Sequence, residues 1–192
     1  MVHNLDHQGR LFSVMLNYRV LNYTFENLKE KHMTFEQVFD HILNFMRLNP
    51  NGNYKLMIGT DSQVQHDHTL FITGIVIQCE GKGVWACLQK NKVPRKITNL
   101  HEKISYETSL SESVFSMFTQ ERKDAMYEIV LPYVDRGASF TIEGHIDIGA
   151  GERNKTRVFI NEMIARIESM GAQPKIKPDA FVASSYANRF TK

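Results

Sequence analysis

The order of strand-like and helix-like segments is the feature that most limits what this chain can fold into. Three strand-like runs follow one another directly, YKLMIGTD, LFITGIVIQC and GVWACLQK. Short loops with turn-forming residues join them, which is typical of an antiparallel meander. Beyond them, helical and strand-like segments alternate. This order predicts an α/β fold with a mixed sheet and helices on its faces.

The alternating half has five main segments after the meander. A long helical segment is predicted over 104–131 and a strand over 138–148. A helix that ends at Gly171 and a short strand, AQPKIK, come next. The last helix is predicted over 179–190. Glycine is favoured just past a helix end, which supports the boundary at Gly171.

The segment before the meander contains one clear helix. Thr34 and Gln37 have the spacing of a capping box, in which each side chain bonds the other residue's backbone N–H. An apolar stripe follows, and Asn49-Pro50 ends it. We therefore expect an N-terminal extension with an extra helix over 1–52, and the main domain over 53–192.

Composition and charge limit the cellular setting. With 192 residues, 42% hydrophobic and 23% charged, the chain has the composition of a globular domain. No apolar run approaches the roughly 18 residues of a membrane span, so we expect no membrane partner. Pairing about a turn at Gly81-Lys82 does not place Cys79 opposite Cys87. Free thiols are typical of a reducing compartment, and we expect a cytoplasmic protein.

The segment EGHIDIG, residues 143–149, combines a strand pattern with charged residues. Side chains alternate between the faces of a strand, so Glu143, His145 and Asp147 share one face and the isoleucines share the other. The segment lies between two helices in sequence, which predicts an interior parallel strand covered on both faces. A buried charge needs a partner such as a metal ion.

Four carboxylates lie at the ends of elements where the pattern predicts protein and not solvent. Asp61 ends the first strand, Glu107 shares an apolar helix face, Asp147 lies near the end of the 138–148 strand, and Asp179 opens the last helix. Each also has a structural interpretation: a turn residue, a favourable acid in a first helical turn, a bonded buried aspartate or an N-cap. Together they match a site for two divalent cations, for which Mg²⁺ and Mn²⁺ prefer oxygen ligands.

The chain resembles the ribonuclease H-like superfamily, and specifically its bacterial YkuK-like branch, which is uncharacterised. Four motifs carry the resemblance: IGTDSQ (58–63), ISYETSLSE (104–112), EGHIDIG (143–149) and KPDAFVASSYANRF (177–190). It covers about 53–192 and implies a mixed five-stranded sheet in the order β-β-β-α-β-α-β-α, flanked by helices.

The resemblance also implies a metal-dependent nuclease site. Asp61, Glu107, Asp147 and Asp179 would be its catalytic and metal-binding carboxylates, with Mg²⁺ or Mn²⁺ as cofactor and nucleic acid as partner. Some ribonucleases H carry a histidine on the loop before the last carboxylate. Residues 171–178 contain none, which puts proton transfer or product release there in doubt.

Other polar residues are weaker candidates. His145 could orient a carboxylate or a metal-bound water, or be an ordinary buried histidine. Arg153 and Lys155 lie at a helix start after a glycine-rich loop, where phosphate groups bind readily, although such residues are usually solvated. The histidines of QHDH, 65–68, fall in a predicted loop.

Three functions fit these observations. The first is divalent-metal-dependent hydrolysis of phosphodiester bonds in RNA, DNA or a hybrid. The second is a non-catalytic module that binds nucleic acid or protein on the same scaffold, favoured by the lack of a clear handle for an RNA–DNA hybrid. The third is an actin-like ATPase, which ranks last because such chains normally duplicate the domain and this one has no internal repeat.

Overall fold

One mixed sheet of five strands forms the centre of the molecule. The computed structural model describes residues 24–149 and 157–187. The strands are β1 (Asn53–Val64), β2 (Thr69–Cys79), β3 (Gly83–Val93), β4 (Ser139–Gly149) and β5 (Gln173–Lys177). They lie in the order β3-β2-β1-β4-β5. The meander of β1, β2 and β3 is antiparallel, and β4 runs parallel to both β1 and β5. The predicted mixed sheet is confirmed, and the strand that carries Asp147 is interior and parallel.

Helices lie on both faces of this sheet. They are α1 (Phe35–Arg47), α2 (Leu100–Met117), α3 (Gln120–Val130) and α4 (Ile160–Ser169), with 3₁₀ turns at Leu131–Arg136 and Arg157–Phe159. A short π-helix, Val182–Tyr186, follows β5 and is called the C-terminal π-helix below. The predicted capping box is present, because Thr34 and Gln37 exchange side-chain-to-backbone hydrogen bonds. The predicted helix over 179–190 extends beyond residue 187 and there lies outside the described residues.

The prediction of one long helix over 104–131 is wrong. Two helices, α2 and α3, occupy this stretch and its flank, and Phe118 leaves the helical conformation between them with ψ 73°. Thr119 then begins α3 by accepting a hydrogen bond from the Arg122 N–H. The apolar spacing continues through the break, which is why periodicity alone did not reveal it.

The predicted hairpin register is wrong by one residue, because a four-residue turn about Gly81-Lys82 would place Cys79 opposite Val84 and Cys87 opposite Val76. Cys79 pairs with Gly83 and Cys87 with Ile75, so the β2–β3 loop has three residues and not four. Gly81 and Gly83 both have positive φ angles, 69° and 126°, which favour the glycines found there. Both cysteines are free and buried, as expected.

The two faces of the sheet are covered differently. On one face, side chains of β1 and β4 join α1, α2, α3 and α4 in the largest hydrophobic cluster. On the other face, the C-terminal π-helix packs on the register partners Gly59 and Gly74. A Cβ atom on Gly74 would lie 2.9 Å from a Val182 methyl group, and one on Gly59 would lie 3.0 Å from the Ala183 nitrogen. These glycines therefore let the π-helix approach the strands closely.

The described helices are all too short or too polar to cross a membrane. The buried residues of α1, among them Val38, Ile42 and Met46, belong to the same hydrophobic cluster as the β1 core. The boundary between 1–52 and 53–192 stays a prediction.

Candidate active site

Asp61 and Asp147 lie at the carboxyl ends of two neighbouring parallel strands. β1 and β4 stay in register as far as Gly59 and His145, and each aspartate lies two residues beyond that pair. Ligand sites in open α/β sheets usually form at such strand ends, where the loops diverge. The backbone thus brings these two predicted site residues to one end of the sheet.

Asp61 and its neighbours point to opposite faces of the sheet. The hydroxyl groups of Thr60 and Ser111 lie 2.9 Å apart, which places the Thr60 side chain against α2. Ser62 also reaches α2. Asp61 lies between these residues and is 8% exposed, so strand alternation directs its side chain to the face of the C-terminal π-helix.

Glu107 enters the site from α2 and is almost fully buried at 6% exposure. Ser62 Oγ donates a hydrogen bond of 2.5 Å to Glu107 Oε1, and Lys103 Nζ lies 3.7 Å from the same oxygen. Burial raises the pKa of Glu107 to about 8 against the opposing effects of Lys103 and Ser62. The negative charges of Asp61 and Asp147 raise it further, so both aspartates lie close enough to Glu107 to act on its carboxyl group.

Asp147 has a buried oxygen atom that forms no hydrogen bond with a described residue. This atom, Oδ1, nevertheless lies 2.9 Å from Lys177 Nζ as an ion pair whose geometry is not that of a hydrogen bond. The register between β4 and β5 shifts between His145 and Gly149, where four steps along β4 match two along β5. Bulges of this kind redirect side chains, and Asp147 lines a cavity on the α2 side of the sheet.

A small cavity separates Glu107 from Asp147. Its volume is about 10 Å³, and Thr60, Thr108 and Ser111 contribute to its walls. That volume is close to the lower limit for holding one water molecule. The space between the two carboxylates is therefore of the size of one small, oxygen-coordinated species.

Asp179 is an exposed residue just before the C-terminal π-helix. Its charge acts on His145, whereas it is not among the charges that act on Glu107. Its side chain lines a second and larger cavity. Of the four predicted carboxylates, Glu107 and Asp147 line one cavity on the α2 side of the sheet, whereas Asp61 and Asp179 lie towards the face of the C-terminal π-helix.

His145 uses both ring nitrogens within the protein. Nδ1 accepts a hydrogen bond of 2.9 Å from the Val182 N–H, which leaves the proton on Nε2. Nε2 lies 3.1 Å from Glu143 Oε2 and donates to it. Burial lowers the pKa of His145 and keeps the ring neutral. His145 thus joins β4 to the C-terminal π-helix, and its role beside a metal stays a prediction.

The other candidates have simple placements. Arg153 and Lys155 lie outside the described residues. His68 pairs with Asp67 at 2.5 Å in the β1–β2 loop. Arg95, just after β3, pairs with Glu102 of α2.

Three residues of the site escaped the sequence interpretation: Ser62, Lys103 and Lys177. Lys103 could have been found, because residues four apart on a helix are neighbours and Glu107 follows it at that spacing. Ser62 and Lys177 act through contacts between elements distant in sequence, for which the sequence carries no local signal.

The donor types suit a hard divalent cation, although they do not form a ready coordination shell. Carboxylate oxygens are the ligands that Mg²⁺ and Mn²⁺ prefer, and Asp147 Oδ1 is buried without a hydrogen bond from any described residue. Among residues 24–149 and 157–187, no group of three or more His, Cys, Asp or Glu side chains is arranged to hold a metal. Ion binding would require Lys177 to leave Asp147 Oδ1.

Comparison with known proteins identifies the family to which a chain with this mixed sheet and these strand-end carboxylates belongs. The family model described as ribonuclease H-like matches residues 37–192, and the chain belongs to this family. Families of this class often use divalent metals, and membership suggests a hydrolase related to nucleic acids.

The chain is also similar to a curated bacterial protein. It is 43% identical over 171 residues to the "Uncharacterized protein YkuK" of Bacillus subtilis (strain 168), covering 89% of this chain and 98% of that protein. No solved structure gives a significant match.

Proposed function

We propose that this protein hydrolyses phosphodiester bonds of nucleic acid with the help of a divalent cation, Mg²⁺ or Mn²⁺. The observation that carries the proposal is that Asp61 and Asp147 lie at the carboxyl ends of neighbouring strands, where the charges of both act on the buried Glu107 of α2. Glu107 and Asp147, which line one cavity, would hold the cation, and Asp61 would reach it from the end of β1. When bound, such an ion polarises a phosphoryl oxygen and lowers the pKa of a coordinated water.

The remaining residues of the site prepare the carboxylates. Ser62 fixes the orientation of Glu107 through its 2.5 Å hydrogen bond. Lys103 and Lys177 each place a positive charge next to a site carboxylate, at 3.7 and 2.9 Å. These cations offset carboxylate repulsion before an ion binds. Asp179 remains a proposed fourth carboxylate that would contact the substrate or its ion from the adjacent cavity.

Metal binding is the first property to measure. Calorimetric titration of Mn²⁺ into the wild type and into Asp147→Asn should show at least about a tenfold loss of affinity in the variant, or ~1.4 kcal/mol. Asp135→Asn, which changes an exposed acid in the 3₁₀ turn at Leu131–Arg136, is the matched control and should bind like the wild type. Equal affinity in all three proteins would mean that Asp147 is a structural acid.

Turnover tests the catalytic part of the proposal. RNA, DNA and hybrid oligonucleotides with Mn²⁺ should be cleaved by the wild type, while Asp61→Asn and Asp147→Asn lose nearly all activity. Urea unfolding curves of the variants should stay close to that of the wild type. Full activity in either variant would exclude that residue from the catalytic set.

A second candidate function is binding without catalysis. The ion pair between Lys177 and Asp147 favours a scaffold that binds nucleic acid or protein. In that case nucleic acid would bind equally well in EDTA and in Mn²⁺, and no oligonucleotide would be cleaved.

A further inference from the structure

The face of the sheet that carries the C-terminal π-helix has a large cavity beside that helix. The cavity has a volume of about 440 Å³, within the range of small-ligand sites, and is called the sheet-face cavity below. The π-helix packs on the row of Gly59 and Gly74, and Lys55 and Gln78 lie four residues before and after these glycines along β1 and β2. The part of the face around Lys55 and Gln78 therefore stays open.

Glu143 is a buried acceptor in the wall of this cavity. Its side chain is 9% exposed. One oxygen, Oε2, accepts the hydrogen bond from His145 Nε2, and His145 is held by the Val182 N–H. The other oxygen, Oε1, accepts no hydrogen bond from a described residue. A ligand that offers N–H donors could satisfy it.

Two lysines lie at opposite ends of the cavity. Lys55 pairs in register with Thr141, and Lys175 pairs with His145, so Glu143 lies between their rows on β4. Neither lysine forms an ion pair with any other described residue. Lys175 and Asp179 both act on His145, which places a negative charge near the Lys175 end. An anionic group of a ligand is therefore better placed at the Lys55 end, next to the Gln78 amide.

The rim of the cavity is apolar and exposed. Phe181 is 50% exposed and Val84 is 58% exposed, and both line the cavity. Exposed aromatic rings beside cationic groups are typical platforms for stacking nucleobases.

From this arrangement we propose that the sheet-face cavity binds one nucleotide unit, with its phosphate on Lys55 and Gln78, its base edge on Glu143 and its base face on Phe181. Lys55 and the register partner of Glu143 are two residues apart along β1, about 7 Å, and the long flexible side chain of Lys55 adds the reach needed to span a nucleotide from its phosphate to the far edge of its base. Guanine is the base that fits best, because it alone offers two adjacent N–H donors to a carboxylate. This inference rests on the proposed function for its substrate class, and it adds a subsite next to Asp179.

Nucleotide binding without metal tests this proposal directly. We would titrate 5′-GMP, 5′-IMP and 5′-AMP into the full chain in EDTA by calorimetry. GMP should bind best, IMP about tenfold more weakly because it lacks the 2-amino group, and AMP no better than IMP. Glu143→Gln should weaken GMP binding about tenfold and abolish the difference between GMP and IMP, while the carbonyl oxygen of the introduced amide can still accept from His145.

A second variant tests the phosphate contact separately from the base contact. Lys55→Ala changes an exposed residue, so it should fold normally, weaken GMP and IMP equally and preserve their ratio. Lys82→Ala, in the exposed β2–β3 loop, is the control and should bind like the wild type. No binding of any nucleotide up to about 5 mM, equal affinity for all three, or unchanged GMP affinity in Glu143→Gln would overturn the proposal.

These outcomes are independent of the proposed nuclease activity. GMP binding in EDTA without any cleavage of oligonucleotides would support the nucleotide subsite and contradict the proposed nuclease activity. Cleavage of oligonucleotides with no nucleotide binding in EDTA would support the proposed nuclease activity and contradict the nucleotide subsite.

Discussion

At the scale of single residues, Glu107 makes the clearest prediction about pH. Its pKa is raised by burial from 4.5 to about 8 in the folded protein. The folded state thus binds this proton more tightly than the unfolded state, so the contribution to stability is full below about pH 4.5 and is lost as pH rises to about 8.

Glu107→Gln should remove this pH dependence. Without metal, the variant should gain stability relative to the wild type between pH 5 and pH 9 by a few kcal/mol, since each pKa unit corresponds to roughly 1.4 kcal/mol. Urea unfolding in EDTA at several pH values measures it. Glu128→Gln, at an exposed position of α3, should show no such trend. A difference between Glu107→Gln and the wild type that stays constant with pH would contradict the raised pKa.

Lys177 is the second residue with a testable role, because its ammonium group lies where a metal ion would meet Asp147. Lys177→Met removes this competing charge and should raise the affinity for Mn²⁺ about three- to tenfold, in line with the modest strength of partly exposed ion pairs. Calorimetric titration checks it. Lys175→Met is a matched control two residues away, with no ion pair to a described residue. Weaker Mn²⁺ binding in Lys177→Met would mean that the lysine orders Asp147 instead.

At the scale of elements, the sequence was informative wherever a local rule decides the structure. The capping box at Thr34 and Gln37 set the start of α1, because the two hydrogen bonds involve only residues within one turn. The order of strands and helices predicted the mixed sheet for a similar reason: hairpins pair neighbours, and helical crossovers place strands in parallel.

The predicted bounds and register of elements are wrong where tertiary contacts determine them. The break at Phe118 has no proline or glycine to mark it, and Phe118 itself is buried in the core. The predicted helix therefore continues past Phe118, where the packing of a buried side chain, and not helix propensity, ends α2. The β2–β3 register differed by one residue because the left-handed conformations of Gly81 and Gly83 shorten the loop.

The site was predicted only in part for a related reason. Asp61 and Asp147 could be found because strand ends are common site positions, and Glu107 because an acid on an apolar helix face is unusual. The position of Asp179 depends on how the chain leaves β5 and enters the C-terminal π-helix. Nothing in the local sequence determines that path, so the cavity that Asp179 lines beside the C-terminal π-helix could not be predicted.

At the scale of the whole molecule, the question is whether α1 and the sheet unfold together. Val38, Ile42 and Met46 of α1 are fully buried against the sheet. The ring of His41 stacks on Trp85 of β3, 5.2 Å away. Burying one large aliphatic side chain contributes about 1.5–3 kcal/mol, and a typical domain is stable by only about 5–15 kcal/mol. The α1 contacts therefore contribute a large share of the free energy of unfolding, and we expect the sheet to depend on them for its stability.

Ile42→Ala should consequently destabilise the entire chain by about 2–5 kcal/mol, the range for such buried truncations. The fluorescence of Trp85, the sole tryptophan of the chain, reports on the sheet, and far-ultraviolet circular dichroism reports on the helices. Both signals should move to lower urea together in a single transition. Leu48→Ala, at a 75% exposed position just after α1, should leave the midpoint nearly unchanged. Two separate transitions, with Trp85 insensitive to Ile42→Ala, would instead make residues 1–52 an appendage that the sheet does not need.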